Sequence, residues 1–134
     1  LRELENFCGG ENRMGTVLTQ KGEELIVDML DETVSTPPKY IGWGTGAGTS
    51  DKGDVALFTE SGDESRVEGT LSQPASDKLR CVGMMICATN PKTITNAGTF
   101  VVDTEGNPIV KGDFTGIALA VGDKIEFTVD LEIT

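Results

Sequence analysis

The sequence contains no histidine. That removes the usual general base, the middle member of a serine or cysteine triad, and the nitrogen ligand of most zinc sites. Cysteine is scarce as well: Cys8, Cys81 and Cys87 are dispersed and cannot all pair with one another. Cys81 and Cys87 fall six apart in an apparent strand, which puts them on one face but about 20 Å from each other, too far for a disulfide. Both read as small buried apolar residues. Cys8 lies in a polar stretch with no basic neighbour nearer than Arg13 to lower its pKa, so an inert thiol is expected. Reduced thiols fit assembly in a cytoplasm.

No apolar run approaches the ~20 residues that cross a bilayer, and no basic-then-apolar leader stands at the start of the sequence, whose first residue is Leu1. Basic residues are few, 11 against 22 acidic ones, for a formal charge of −11. A field of that sign repels nucleic acid and anionic lipid and favours basic partners, so neither direct nucleic-acid binding nor a membrane is expected. Rings are scarce too: Tyr40, Trp43 and five phenylalanines. Carbohydrate platforms and single-strand binders need exposed aromatic faces, and only Tyr40 and Trp43, three apart, are placed to supply them. The alternative is that Trp43 plugs one end of a sandwich while its glycine neighbours let backbone pass close by, and this is the expectation.

What remains describes a small acidic domain. At 134 residues the chain is long enough for one self-sufficient core. Residues 1–15 mix charges with scattered apolar residues and break at Gly9-Gly10, reading as an N-terminal arm. Leu1, Leu4 and Phe7 recur at a three-residue spacing, which suits an arm that orders on a neighbour; a frayed terminus is the alternative. Thr19 is a candidate N-cap for a helix over about 19–31, with Glu23 and Glu24 early and Leu18, Gly22, Leu25, Ile26, Met29 and Leu30 on one side. That stripe is expected to cover a sheet. Pro37-Pro38 forbids continuation.

Beyond the prolines the period becomes two. Arg66–Leu71 alternates, and Leu79–Ala88 is apolar on both faces, as in a central covered strand. Ile125, Phe127, Val129, Leu131 and Ile133 face one way; Lys124, Glu126, Thr128, Asp130 and Glu132 face the other, toward water. Turns at Glu105–Pro108 and Val121–Asp123 separate further strands. The pattern predicts a mainly β protein: residues 16–134 as one antiparallel β-sandwich, jelly-roll-like, with the single helix on an end or edge.

One stretch, Tyr40-Ile-Gly-Trp-Gly-Thr-Gly-Ala-Gly-Thr-Ser-Asp-Lys-Gly-Asp54, invites functional readings. A phosphate loop needs a helix immediately after the glycines and a lysine in register, and neither is present. The dinucleotide spacing fails because Ala47 stands where the third glycine would be counted from Gly42. Asp51, Asp54, Glu60, Asp63 and Glu64 supply hard oxygens, but without the twelve-residue calcium spacing they read as solvated loop tips. No catalytic, cofactor or metal residue is therefore assigned. The glycines read as backbone crossing near the end of a sandwich, followed by a surface loop.

Taken in order, several short segments resemble small virion structural proteins of tailed bacteriophages. They are Thr19-Gln-Lys-Gly22, Ile41-Gly-Trp-Gly-Thr-Gly46, Ala56-Leu57 with Glu60, Ile94-Thr-Asn-Ala-Gly-Thr-Phe100 and Gly122-Asp-Lys-Ile-Glu-Phe-Thr128. The likeness spans Thr16 to Thr134, with Asn96 standing where the pattern carries an acid. The resemblance implies a non-enzymatic capsid decoration or cement protein that binds the major capsid protein on the virion exterior, with a trimer as the expected oligomer. Leu1, Leu4, Phe7, Tyr40 and Trp43 are then the expected contact residues. A tail or neck subunit is the alternative, and a carbohydrate-binding β-sandwich module using Tyr40 and Trp43 is the third reading.

Overall fold

A computed structural model describes the chain at residues 2–8, as backbone, and at 15–133. The strands are β1 (Arg2–Cys8), β2 (Val17–Leu18), β3 (Tyr40–Gly44), β4 (Val67–Glu68), β5 (Thr70–Ala75), β6 (Lys78–Ile86), β7 (Lys92–Phe100), β8 (Val110–Leu119) and β9 (Lys124–Glu132). The single helix among the described residues is α1 (Gln20–Leu30). Two sheets form, ordered β1-β9-β6-β5 and β2-β8-β7-β3-β4. The mainly β, two-sheet architecture is the one the alternation predicts.

The core lies between the sheets. Cys81, Met85, Ile125, Phe127 and Val129 come from the first sheet, and Ile41, Trp43, Ile94, Ala97 and Val110 from the second, all at most 6% exposed. Register fixes this arrangement: Cys81 pairs with Val129 and Met85 with Ile125, so like faces coincide. Trp43 meets Phe127 across the gap, ring centroids 6.4 Å apart and planes at 76°, the edge-to-face geometry that the ring quadrupoles favour. Both described cysteines are buried and unpaired; burial pushes the Cys81 thiol up to about 11, so neither of these sites offers a reactive thiolate.

Several expectations need correction. Residues 2–8, expected as part of an arm, form a strand of the domain's own sheet, with Leu4 in register with Phe127 and Phe7 with Asp130. Leu1 lies outside the described residues, and the strand position is what is described of Leu4 and Phe7. The β1–β9 pair is parallel, the one departure from antiparallel pairing in the described ladders. Direction is free there because β1 leads to the opposite sheet, without the hairpin that forces reversal.

The strand expected over 66–71 is two strands. Gly69 lies between β4 in the second sheet and β5 in the first, and its N–H reaches Lys39 O at 2.6 Å. β6 is covered on one face only, since Met84 and Ile86 are 41% and 42% exposed outward. Conversely, Thr128 and Asp130 on the face of β9 expected to be wet are buried, Asp130 under a two-pronged ion pair from Arg80 at 2.7 and 2.9 Å.

α1 starts where its cap predicts. The Thr19 hydroxyl accepts the Gly22 N–H at 3.0 Å and donates to Pro108 O at 2.6 Å, while Thr19 N–H reaches Ile109 O. The cap therefore serves both the helix and its docking beside the 101–109 connection. The expected apolar stripe is met only in part: Leu25 joins the core and Leu18 and Met29 pack against it, but Leu30 is 80% exposed. The outer face of the five-stranded sheet carries the connection 45–66, bonded to Asn96, Lys111 and Asp113.

Candidate functional site

The glycine-rich stretch divides into a strand and a loop. β3 is an interior strand, so Ile41 and Trp43 point into the core and Gly42 and Gly44 point outward. The chain then leaves as a loop and returns antiparallel to itself: Gly46 N–H donates to Phe58 O at 2.8 Å, Thr45 N–H to Thr59 O at 3.0 Å, and Ser61 N–H to Trp43 O at 3.0 Å. A Cβ on Gly44 would stand 2.5 Å from Phe58 O, and one on Gly46 2.6 Å from Thr59 Oγ1. These glycines leave room for a returning backbone. The crossing lies on the outer face of a sheet rather than at the end of the sandwich.

Polar side chains from the sheet hold the loop down. Asn96 on β7 accepts the Phe58 N–H at 3.0 Å and donates to Phe58 O at 3.1 Å, a two-way clasp. An amide offers both a donor and an acceptor, whereas an ionised acid offers only acceptors, so the departure at Asn96 creates a contact here. Lys111 on β8, fully buried, places its ammonium 2.8 Å from Asp54 and 3.3 Å from the Phe58 ring centroid. Asp113 accepts the Ser50 N–H at 2.6 Å, and Thr95 donates to Gly46 O. Arg66, its side chain 5% exposed, holds Glu60 with two bonds of 2.8 Å, reaches Val102 O and Glu105 O, and stacks 3.4 Å from the Phe100 centroid.

Glu64 is the most heavily bonded acid. It accepts from Lys92 at 2.6 and 2.7 Å, from the Ala88 and Thr89 amides, and from Trp43 Nε1 at 3.3 Å. Burial pushes its carboxyl pKa up, but the bonds from Lys92 and the amides outweigh burial and hold it below the usual range. Burial alone would lower the Lys92 pKa; its bonds to Glu64 and Asp63 raise it instead. At Asp54, likewise, Lys111 and the Asp51 amide overcome burial and lower the carboxyl pKa.

Asp54, Glu60, Asp63 and Glu64, expected as solvated loop tips, are thus partners of specific cations. Asp54 and Glu64, held low by their partners, are poor general bases. Among the described residues no group of three or more acids or cysteines is arranged to hold a metal ion. The sequence signal for this layer is the pair of lone lysines, Lys92 and Lys111, in strands with few other charges. Their acidic partners are 28 and 57 residues away in sequence, beyond any local pattern.

Trp43 is 1% exposed, so it plugs the core and offers no face to a ligand or partner. That removes the Tyr40–Trp43 ring platform on which the carbohydrate-binding reading depends. Tyr40 is half-buried on the outer face, opposite Phe100 and Glu68. The exposed apolar residues lie elsewhere: Val27 and Leu30 on α1, Val55 on the pinned loop, Met84 and Ile86 on β6, Val102, Val121, and Ile133, which lies past the end of β9 and so leaves the core face expected for it. No local period distinguishes these from core positions; only the tertiary arrangement does.

No protein family, curated protein or solved structure matches this chain.

Proposed function

We propose that this chain is a non-enzymatic capsid decoration protein of a tailed bacteriophage, seated on the outer surface of the major capsid protein lattice and stabilising the head. The observation that carries the reading is where the phage-like segments fall. Thr19 and Gly22 cap and seat the helix, Gly44 and Gly46 admit the returning loop, Asn96 clasps it, and Ile94, Phe100, Ile125 and Phe127 are buried. Each maintains a scaffold, and the acids best placed for chemistry are spent in ion pairs. Function then belongs to the outer surface, where apolar residues stand among acids.

Charge supports the same placement. At −11 the chain is repelled by packaged DNA and suits the outside of a shell. A small contact repeated on a symmetric lattice gains avidity without a large area per copy. A trimer suits local three-fold positions of such a lattice.

The test is to image purified particles carrying a labelled version of this chain and to count copies per particle. Label over the whole shell at a copy number set by the lattice is expected. Label confined to a tail or neck ring would replace this reading with the other structural one, and unlabelled particles would remove both.

A further inference from the structure

Between α1 and the 101–109 connection lies a groove of about 310 Å³. Leu25, Val101 and Ile109 form its apolar floor, and Val102, 43% exposed, its lip. On the helix side stand Lys21 and Glu24, joined at 2.9 Å and so mutually satisfied. One turn further, Asp28 also lines the groove and is half-buried. Its carboxylate has no hydrogen-bond or ion-pair partner among the described residues. On the other side of the connection, Arg66 is committed to Glu60 and to the carbonyls of Val102 and Glu105. Among the described residues, the lysines beside α1 are paired with Glu24 and Glu23 and none is joined to Asp28.

We propose that this groove receives a lysine or arginine side chain presented by a partner protein, its aliphatic stem on Leu25 and Val102 and its cation against Asp28. Both halves of the site are needed to select that occupant. An apolar side chain would match the floor but strip water from Asp28 without pairing it, which is unfavourable. A small inorganic cation would pair the carboxylate and leave the apolar floor wet. A long basic side chain has an apolar stem and a charged head in the order the groove presents. The net charge of −11 steers a basic segment toward the chain before contact. The inference names the chemistry of one contact and stands whether the partner is a shell, tail or neck protein.

The experiment is an NMR titration of the full chain at fixed ionic strength with N-acetylarginine amide, and separately with N-acetylcitrulline amide, which keeps the stem and loses the charge. Arginine amide is expected to give saturable shifts at the amides of Leu25, Asp28, Val102 and Gly106, with citrulline amide binding about five- to tenfold more weakly. Asp28→Asn should abolish saturation while leaving the rest of the spectrum in place. Asp103→Asn, outside the groove lining, should leave it intact. Linear shifts spread over all acidic residues would show counterion crowding and overturn the proposal. Equal binding of citrulline amide, or an Asp28→Asn variant that binds as well as the parent, would overturn it too.

Discussion

Asn96 shows how one atom decides a contact. Its Oδ1 faces the Phe58 N–H and its Nδ2 faces the Phe58 carbonyl. In Asn96→Asp, an anionic oxygen would take the place of Nδ2 and meet that carbonyl, turning a hydrogen bond into repulsion at a buried position. The expected cost is about 1–3 kcal/mol, read from chemical denaturation. It should shrink near pH 3, where a protonated acid regains a donor. A variant as stable as the parent at pH 7 would show that the clasp is dispensable. Glu64 and Lys92, with side chains 8% and 7% exposed, give the same scale a pH signature. A carboxyl held low when folded stabilises above its unfolded value of about 4.3, and that stability is lost as pH falls through the lower folded value. Lys92, raised when folded, contributes fully below about 10.4 and loses its contribution as pH rises through the higher folded value. Unfolding followed by Trp43 fluorescence should therefore show a broad plateau with an acid edge below about pH 4. In Glu64→Gln that edge should flatten and the plateau should drop; an unchanged acid edge would assign it to other carboxylates.

Among the elements, the connection 45–66 sets the outer face of the five-stranded sheet. Gly44 is its tightest point, because the atom a Cβ would strike at 2.5 Å is backbone and cannot rotate away. Gly44→Ala is expected to lower stability by about 1–3 kcal/mol and to open residues 47–56 to proteolysis. Gly62→Ala, which meets nothing within 4 Å, should leave both nearly unchanged. Equal behaviour of the two variants would mean that the loop is not pinned where Gly44 faces it. How much of this was legible follows from range in sequence. Thr19 announced the helix because a cap acts over three residues, and the alternation in β9 announced its core face because a strand repeats every two. The pinned loop was hidden, since Asp54 finds Lys111 and Phe58 finds Asn96 only after the sheets have formed. Gly69 concealed a change of sheet inside what looked like one strand, and the apolar stripe of α1 promised more contact than Leu25 and its neighbours make, since Leu30 stays exposed. Trp43 was legible as a plug from the glycines around it, and its burial removes it from the expected contact surface.

At the scale of the whole molecule, β1 decides whether the first sheet is closed or open on one side. With β1 in place, β9 is an interior strand bonded on both edges, to β1 and to β6. Deleting residues 1–8 would leave the outer edge of β9 unpaired along Ile125–Leu131 and let water reach the rim of a core that holds Ile125, Phe127 and Val129. Exposed edges of this kind also invite pairing with other chains. The expected result is a loss of about 2 kcal/mol, or roughly 6–10 °C in Tm for a domain of this size, together with concentration-dependent association. Trp43, on the far sheet, should keep its buried emission at low temperature, because β3 and its neighbours do not depend on β1. The same deletion bears on partner binding. On the proposed decoration role, if residues 1–8 serve the fold alone, the truncated chain should occupy shells as well as the parent wherever it remains folded. If they also reach a neighbour, occupancy should fall well below the fraction that is folded. An unchanged Tm with lost occupancy would mean that Arg2–Cys8 serves contact with the partner rather than pairing with its own β9.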